Sequence, residues 1–170
     1  MSRLTENMLN LLGEQYQHET ANSLRYYQRS MFAEYIGLLS IAEFFRKQAN
    51  DERSHADKIM SFVNSRSMIL PISGLSFADK DLTAGSDILG IFRSALDIEK
   101  DTSARLENIL DVARTESDTM TEQWLMDADG LIKEQVEEEN LYQTILDHAS
   151  LVSTSPSLYH DLDNFVKNLL

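Results

Sequence analysis

Residues Ile41 to Phe62 read IAEFFRKQANDERSHADKIMSF. Alternating steps of four and three along this stretch select Ile41, Phe45, Gln48, Glu52, His55, Ile59 and Phe62. That spacing places all seven on one face of an α-helix. The face is apolar at both ends and carries a glutamate and a histidine, one helical turn apart, at its middle. Burying either group alone is costly, because an ionised side chain loses its hydration. The segment therefore reads as a core-facing helix, Leu38 to Ser65, with a reason to hold charge inside.

Three other segments repeat the pattern. Helix one, Thr5 to Glu34 with Thr5 as N-cap, gives Met8, Leu12, Gln15, Glu19, Asn22 and Tyr26. Helix three, from a Ser86 cap to near Thr115, gives Phe92, Ala95, Glu99, Thr102 and Leu106. Helix four, near Ser117 to Ala149, gives Trp124, Ala128, Leu131, Gln135, Glu138 and Tyr142. Gly130 falls inside this last helix, where glycine costs about 1 kcal/mol relative to alanine and predicts a looser wall. A short fifth helix, Ser157 to Leu169, follows Ser155-Pro156.

Link lengths set the topology. Helices one and two, and helices three and four, are joined by a few residues, so each pair is antiparallel. The middle link, Ser67 to Gly85, is long enough at roughly 3.3–3.6 Å per residue to run the length of a bundle of ~45 Å helices. Helices two and three then lie parallel. The expected fold is all-α: a four-helix bundle with one long crossover and a short C-terminal helix, in a single domain spanning 1–170.

Heights agree as well as faces. Glu19 precedes the end of helix one by about as many residues as Glu52 follows the start of helix two. Glu99 and Gln135 are similarly matched about the turn near Glu116, with Glu138 one turn further on. Glu19, Glu52, His55, Glu99, Gln135 and Glu138 should thus meet at one level. Taken singly, a Glu-x-x-His is more often an exposed pair, and Glu137-Glu138-Glu139 more often a solvated face. The coincidence of spacing, face and height makes the case. Clustered carboxylates in a core repel each other. Protonation or rotated helices would relieve them, but a cation neutralises the whole group. Carboxylates with one imidazole suit iron, manganese or zinc.

Composition narrows the classes. The chain has 170 residues, a formal net charge of −13 and no cysteine. A field of that sign repels nucleic acid and attracts cations, and equally serves solubility. The missing cysteines exclude disulfides, zinc thiolates and iron–sulfur clusters. No apolar run is long enough to span a bilayer, and the first residues lack a signal-peptide pattern, so the expected location is cytoplasmic.

On these residues the chain resembles the non-haem, bacterial-type ferritins, from helix one to the fifth helix. The matching positions are Glu19, Tyr26, Glu52, His55, Glu99 and the run Glu134-Gln135-Val136-Glu137-Glu138. The resemblance implies a di-iron site in which Glu19, Glu52 and His55 hold one iron. Glu52 bridges to a second, held also by Glu99 and Glu138. Gln135 sits beside the pair, and Tyr26 within hydrogen-bond or electron-transfer reach. A third iron site would use Asp51, Glu134, Glu137 and Glu138. Asp51 stands where the pattern has the longer glutamate, so weak third-site binding is expected. Haem-binding relatives place a methionine after the bridging glutamate. Here Arg53 follows Glu52, which implies no haem.

The function implied is a ferroxidase that oxidises Fe(II) with oxygen or peroxide and stores ferric mineral inside a homo-oligomeric shell of 24 subunits. Leu24, Tyr27, Met31 and Tyr35 form a second apolar stripe on helix one, which suits either assembly or a broad core face. Two other classes compete: a di-iron oxidase or oxygenase acting on an organic substrate, and a metal-free structural bundle. The first requires a substrate pocket. The acidic stripe argues against the second.

Overall fold

The computed structural model describes residues 3–75, 82, 87–152 and 157–170. It contains α1 (Glu6–Tyr35), α2 (Leu39–Ser65), α3 (Ile88–Thr115), α4 (Thr119–Met126), α5 (Leu131–Leu151) and α6 (Leu158–Lys167). Side-chain caps fix the starts of α1, α3 and α4. Thr5 Oγ1 accepts from Met8 N at 3.0 Å at the head of α1. Asp87 accepts from Leu89 N and Gly90 N at the head of α3, and Asp118 accepts from Thr121 N at the head of α4. The cap expected at Ser86 lies outside the described residues, as does Ser155-Pro156; Asp87 does the capping. The first residues of α2 lack a side-chain cap of their own. Asp163 of α6 supplies a substitute, its Oδ1 accepting from Ile41 N at 2.9 Å.

Two apolar clusters hold the bundle together. One contains Phe44, Phe45, Phe92, Tyr142, Ile145 and, from α6, Leu162 and Val166. The other contains Met8, Leu12, Ile59, Phe62, Leu106, Ile109 and Leu125. A layer of buried polar groups lies between them along every long helix, including Glu19, Glu52, His55, Glu99 and Gln135.

The order in which each helix visits the clusters fixes its direction. α1 runs from the second cluster to the first, α2 and α3 run from the first to the second, and α5 returns. α2 and α3 are therefore parallel. The link between them starts with Leu70 in the second cluster and brings Leu82 against the first. This is the long crossover expected from link length. The α1–α2 hairpin is antiparallel: Ser23 Oγ donates to Ala49 O at 2.7 Å and Ser30 Oγ to Ala42 O at 2.8 Å.

One expectation fails. Helix four is not continuous but breaks at Asp127–Gly130 into α4 and α5, and Gly130 is the N-cap of α5 rather than an interior residue. A Cβ on Gly130 would lie 2.4 Å from the Leu125 carbonyl oxygen and 2.9 Å from Asp127 N and O. The chain can fold back on itself there only without a side chain. The break also shifts the core stripe: Thr121 and Leu125 are buried in α4, while Ala128 is exposed and Trp124 half-buried against Phe62.

Candidate metal centre

The polar layer is a constructed site. Glu19 comes from α1, Glu52 and His55 from α2, Glu99 from α3, and Gln135 and Glu138 from α5. Each sits one or two turns from an apolar cluster that anchors its backbone. Ligand atoms of Glu19, Glu52 and His55 all lie within 4.8 Å of one another, and so do those of Glu52, Glu99 and Glu138. Glu52 is common to both groups, at the boundary between them. All the residues that the sequence places on this level are brought together.

Neighbouring side chains orient the carboxylates. Gln15 Nε2 donates to Glu19 Oε1 at 2.6 Å. Gln135 Nε2 donates to Glu99 Oε2 at 2.7 Å and to the Glu99 carbonyl at 3.2 Å. The Tyr26 hydroxyl donates to Glu99 Oε1. Three other buried oxygens, Glu19 Oε2, Glu52 Oε2 and Glu138 Oε2, have no hydrogen-bond partner among the described residues. Unpartnered buried carboxylate oxygens are rare because each loses its hydration without replacement.

Electrostatics follows from that crowding. Burial, and then the charge of Glu19, pushes the Glu52 carboxyl well above its ordinary 4.5. Burial and then Glu99 do the same to Glu138. Glu99 is raised by burial, against the hydrogen bonds from Tyr26 and Gln135. For His55, burial acts to lower the imidazole pKa, but the hydrogen bond to Glu134 and the charges of Glu138 and Glu19 outweigh it and carry the group to about 9. Burial and mutual repulsion thus oppose ionisation of the Glu52, Glu99 and Glu138 carboxyls, and a cation would relieve both.

The third set behaves differently. Asp51 is half-buried and Glu137 exposed, and both line an open cleft of about 350 Å³ with Glu134, Glu138, His55 and Lys58. Among the described residues neither three-ligand group includes Asp51, Glu134 or Glu137. Glu134 is bonded instead to Lys58 and His55. Sequence reasoning missed Lys58 although it follows Asp51 by two turns and His55 by one. It also gave no role to Gln15, one turn before Glu19. Tyr142, read from the stripe as a core-edge hydrogen bonder, donates its hydroxyl to Gln48 Oε1 at 3.1 Å and packs its ring on Tyr26.

A buried carboxylate layer with one glutamate shared by two groups able to hold a metal ion, inside a four-helix bundle with a long crossover, is the architecture of the ferritin-like carboxylate bundles. The chain belongs to the ferritin family: it matches the ferritin-like domain over residues 9–152. It is 29% identical over 157 residues to the bacterial non-heme ferritin of Staphylococcus aureus strain USA300, covering 92% of this chain and 91% of that protein. The Staphylococcus saprophyticus bacterial non-heme ferritin is 31% identical, over 92% of this chain and 90% of that one. In three dimensions the chain resembles an open pore ferritin from the archaeon Archaeoglobus fulgidus, with a TM-score of 0.87, 23% identity and 98% of each chain covered.

Proposed function

We propose that this chain is a single-domain iron-storage subunit that oxidises Fe(II) at a site for two iron ions. The observation that carries the reading is Glu52, shared by two three-ligand groups in which Glu19 Oε2, Glu52 Oε2 and Glu138 Oε2 have no hydrogen-bond partner among the described residues. Glu19, Glu52 and His55 would receive one Fe(II), and Glu52, Glu99 and Glu138 the other. Fe(II) is the substrate. Each ion loses one electron, so a pair supplies the two electrons that reduce oxygen to hydrogen peroxide or hydrogen peroxide to water.

The chain's own part in this is positioning and charge. Its net charge of −13 concentrates cations. Gln15 holds Glu19, and Gln135 and Tyr26 hold Glu99, so both carboxylates are oriented before a cation arrives. Carboxylate ligands favour Fe(III) over Fe(II), because the higher charge gains more from the same anions. Tyr26 would hold its ring close to the second ion through its hydrogen bond to Glu99.

The ferric product is stored as mineral, which requires a shell; we take it to be a homo-oligomer of 24 subunits in the cytoplasm. On the α1–α2 hairpin, Met31, Tyr35 and Leu39 are 63%, 81% and 66% exposed, an apolar face suited to a neighbouring subunit. No helix among the described residues is long and apolar enough to cross a membrane. Arg53, where haem-binding relatives have a methionine, is the basis for reading the subunit as haem-free. Among the described residues, those that line the cleft beside the site are polar or charged in type except Leu141. That disfavours the organic-substrate oxidase, whose pocket would be mostly apolar.

The test is size-exclusion mass together with iron content after aerobic Fe(II) loading. A very large shell retaining many irons per subunit is expected. A small oligomer with two irons means an oxidase, and no retained iron means a scaffold.

A further inference from the structure

The two acidic regions of this bundle differ in one respect. At the inner site, one oxygen each of Glu19, Glu52 and Glu138 is buried without a hydrogen-bond partner among the described residues. In the adjoining cleft, both oxygens of Glu134 are engaged. Lys58 Nζ lies 2.7 Å from Glu134 Oε1 and 2.7 Å from Oε2, and His55 Nε2 lies 3.1 Å from Oε2. The same ammonium reaches the Asp129 carbonyl at 3.4 Å, across the break between α4 and α5. These bonds hold the Glu134 carboxyl down to about 2. Carboxylates without a neutralising charge repel one another. Here a side chain on α2 supplies that charge to α5.

We propose that Lys58 is the resident cation of this cleft, so that a third metal ion binds there only by displacing its ammonium from Glu134. The inference rests on the two-ion reading above and adds an order of filling. The inner pair has free oxygens and takes cations first. The cleft already has its positive charge and takes one last, whatever the length of Asp51. The lysine is suited to yielding its place. It is 34% exposed, and its ammonium sits on a flexible four-carbon stem that can retreat into solvent. A fixed guanidinium fork would release a carboxylate less readily.

The experiment is an anaerobic calorimetric titration of the assembled protein with Zn(II), which is redox-inert and accepts carboxylate and imidazole ligands. The wild type should take up two cations per chain tightly and further ones weakly. Lys58→Met should bind a third cation about tenfold tighter than the wild type does, the factor matching loss of one charge-assisted hydrogen bond to the competing ammonium. Lys58→Gln, which keeps a polar stem for the Asp129 carbonyl, guards against misfolding of the methionine variant and should behave alike. Lys58→Arg should not tighten the third cation. Lys58→Met combined with Glu134→Gln should lose the gain, because the released ligand is gone. Unchanged third-cation affinity in both Lys58→Met and Lys58→Gln would overturn the proposal while leaving the inner pair intact. A wild type that takes up no cation tightly would remove the two-ion reading, and this inference with it.

Discussion

His55 Nε2 lies 3.1 Å from Glu134 Oε2 while its Nδ1 lies 3.9 Å from Glu19 Oε2. One imidazole thus joins the inner site to the cleft beside it. Burial acts to lower its pKa, but the hydrogen bond to Glu134 on one side and the charges of Glu138 and Glu19 on the other raise it to about 9. A metal ion at the inner site needs the neutral ring. Cation binding near neutral pH must therefore expel a proton.

The stability of the metal-free protein should fall as pH rises through that range. His55 binds its proton more tightly folded than unfolded, so its contribution is complete below 6.5 and lost as pH passes about 9. Glu52, Glu99 and Glu138 are also raised above 4.5, and each disfavours the fold once it is forced to ionise. Glu134 is lowered to about 2, so its contribution exists above 4.5 and is lost only in strong acid. Melting temperature of the metal-free protein between pH 5 and 9 should decline, and saturating Zn(II) at pH 7.5 should reverse the decline. A melting temperature that climbs over this interval contradicts the assignment.

Replacing Glu52 should separate activity from stability. Glu52→Gln keeps the side chain's volume and removes a charge that burial and Glu19 oppose. The metal-free variant should melt higher at pH 7.5, by about 2–4 °C if ~1 kcal/mol of strain is relieved. Rapid Fe(II) oxidation, followed by absorbance of the ferric product, should drop at least about tenfold, the effect of losing roughly 1.4 kcal/mol of transition-state stabilisation. Wild-type rates in the variant would remove Glu52 from the reaction.

Periodicity explains why much of this could be read from the sequence. Glu19, Glu52, His55, Glu99, Gln135 and Glu138 occupy stripe positions that any regular helix must turn inward, and the two link lengths set the direction of each helix. What escaped depends on contacts between elements. Lys58 is one turn beyond His55, but its partner Glu134 is on another helix. Asp163 caps α2 from α6, a pairing that no local pattern encodes. Likewise the break before α5 is hidden because Trp124, Ala128 and Leu131 continue the spacing across it. Only the fold-back of Asp127 and Leu125 onto Gly130 reveals that the helix stops.

Gly130 allows a test in which the two readings differ in sign. Inside a continuous helix, Gly130→Ala would stabilise by about 1 kcal/mol through better helix propensity. At the break, the new Cβ meets Leu125 O at 2.4 Å and Asp127 N and O at 2.9 Å. These are backbone atoms and cannot rotate aside as a side-chain tip would, so the turn itself must open. The expected cost is about 1–3 kcal/mol, the range for overpacking a close-fitting site. Melting temperature should fall by about 2–4 °C per kcal/mol for a chain of this size. The displacement should also reach the site. Asp129, whose carbonyl bonds Lys58, lies next to the substituted residue, and Glu134, Gln135 and Glu138 follow within the first turns of α5. Gly130→Ala should therefore weaken Zn(II) binding at the inner pair, where Gln135 orients Glu99 and Glu138 is a proposed ligand. A higher melting temperature with unchanged Zn(II) affinity would mean that α4 and α5 form one helix in solution.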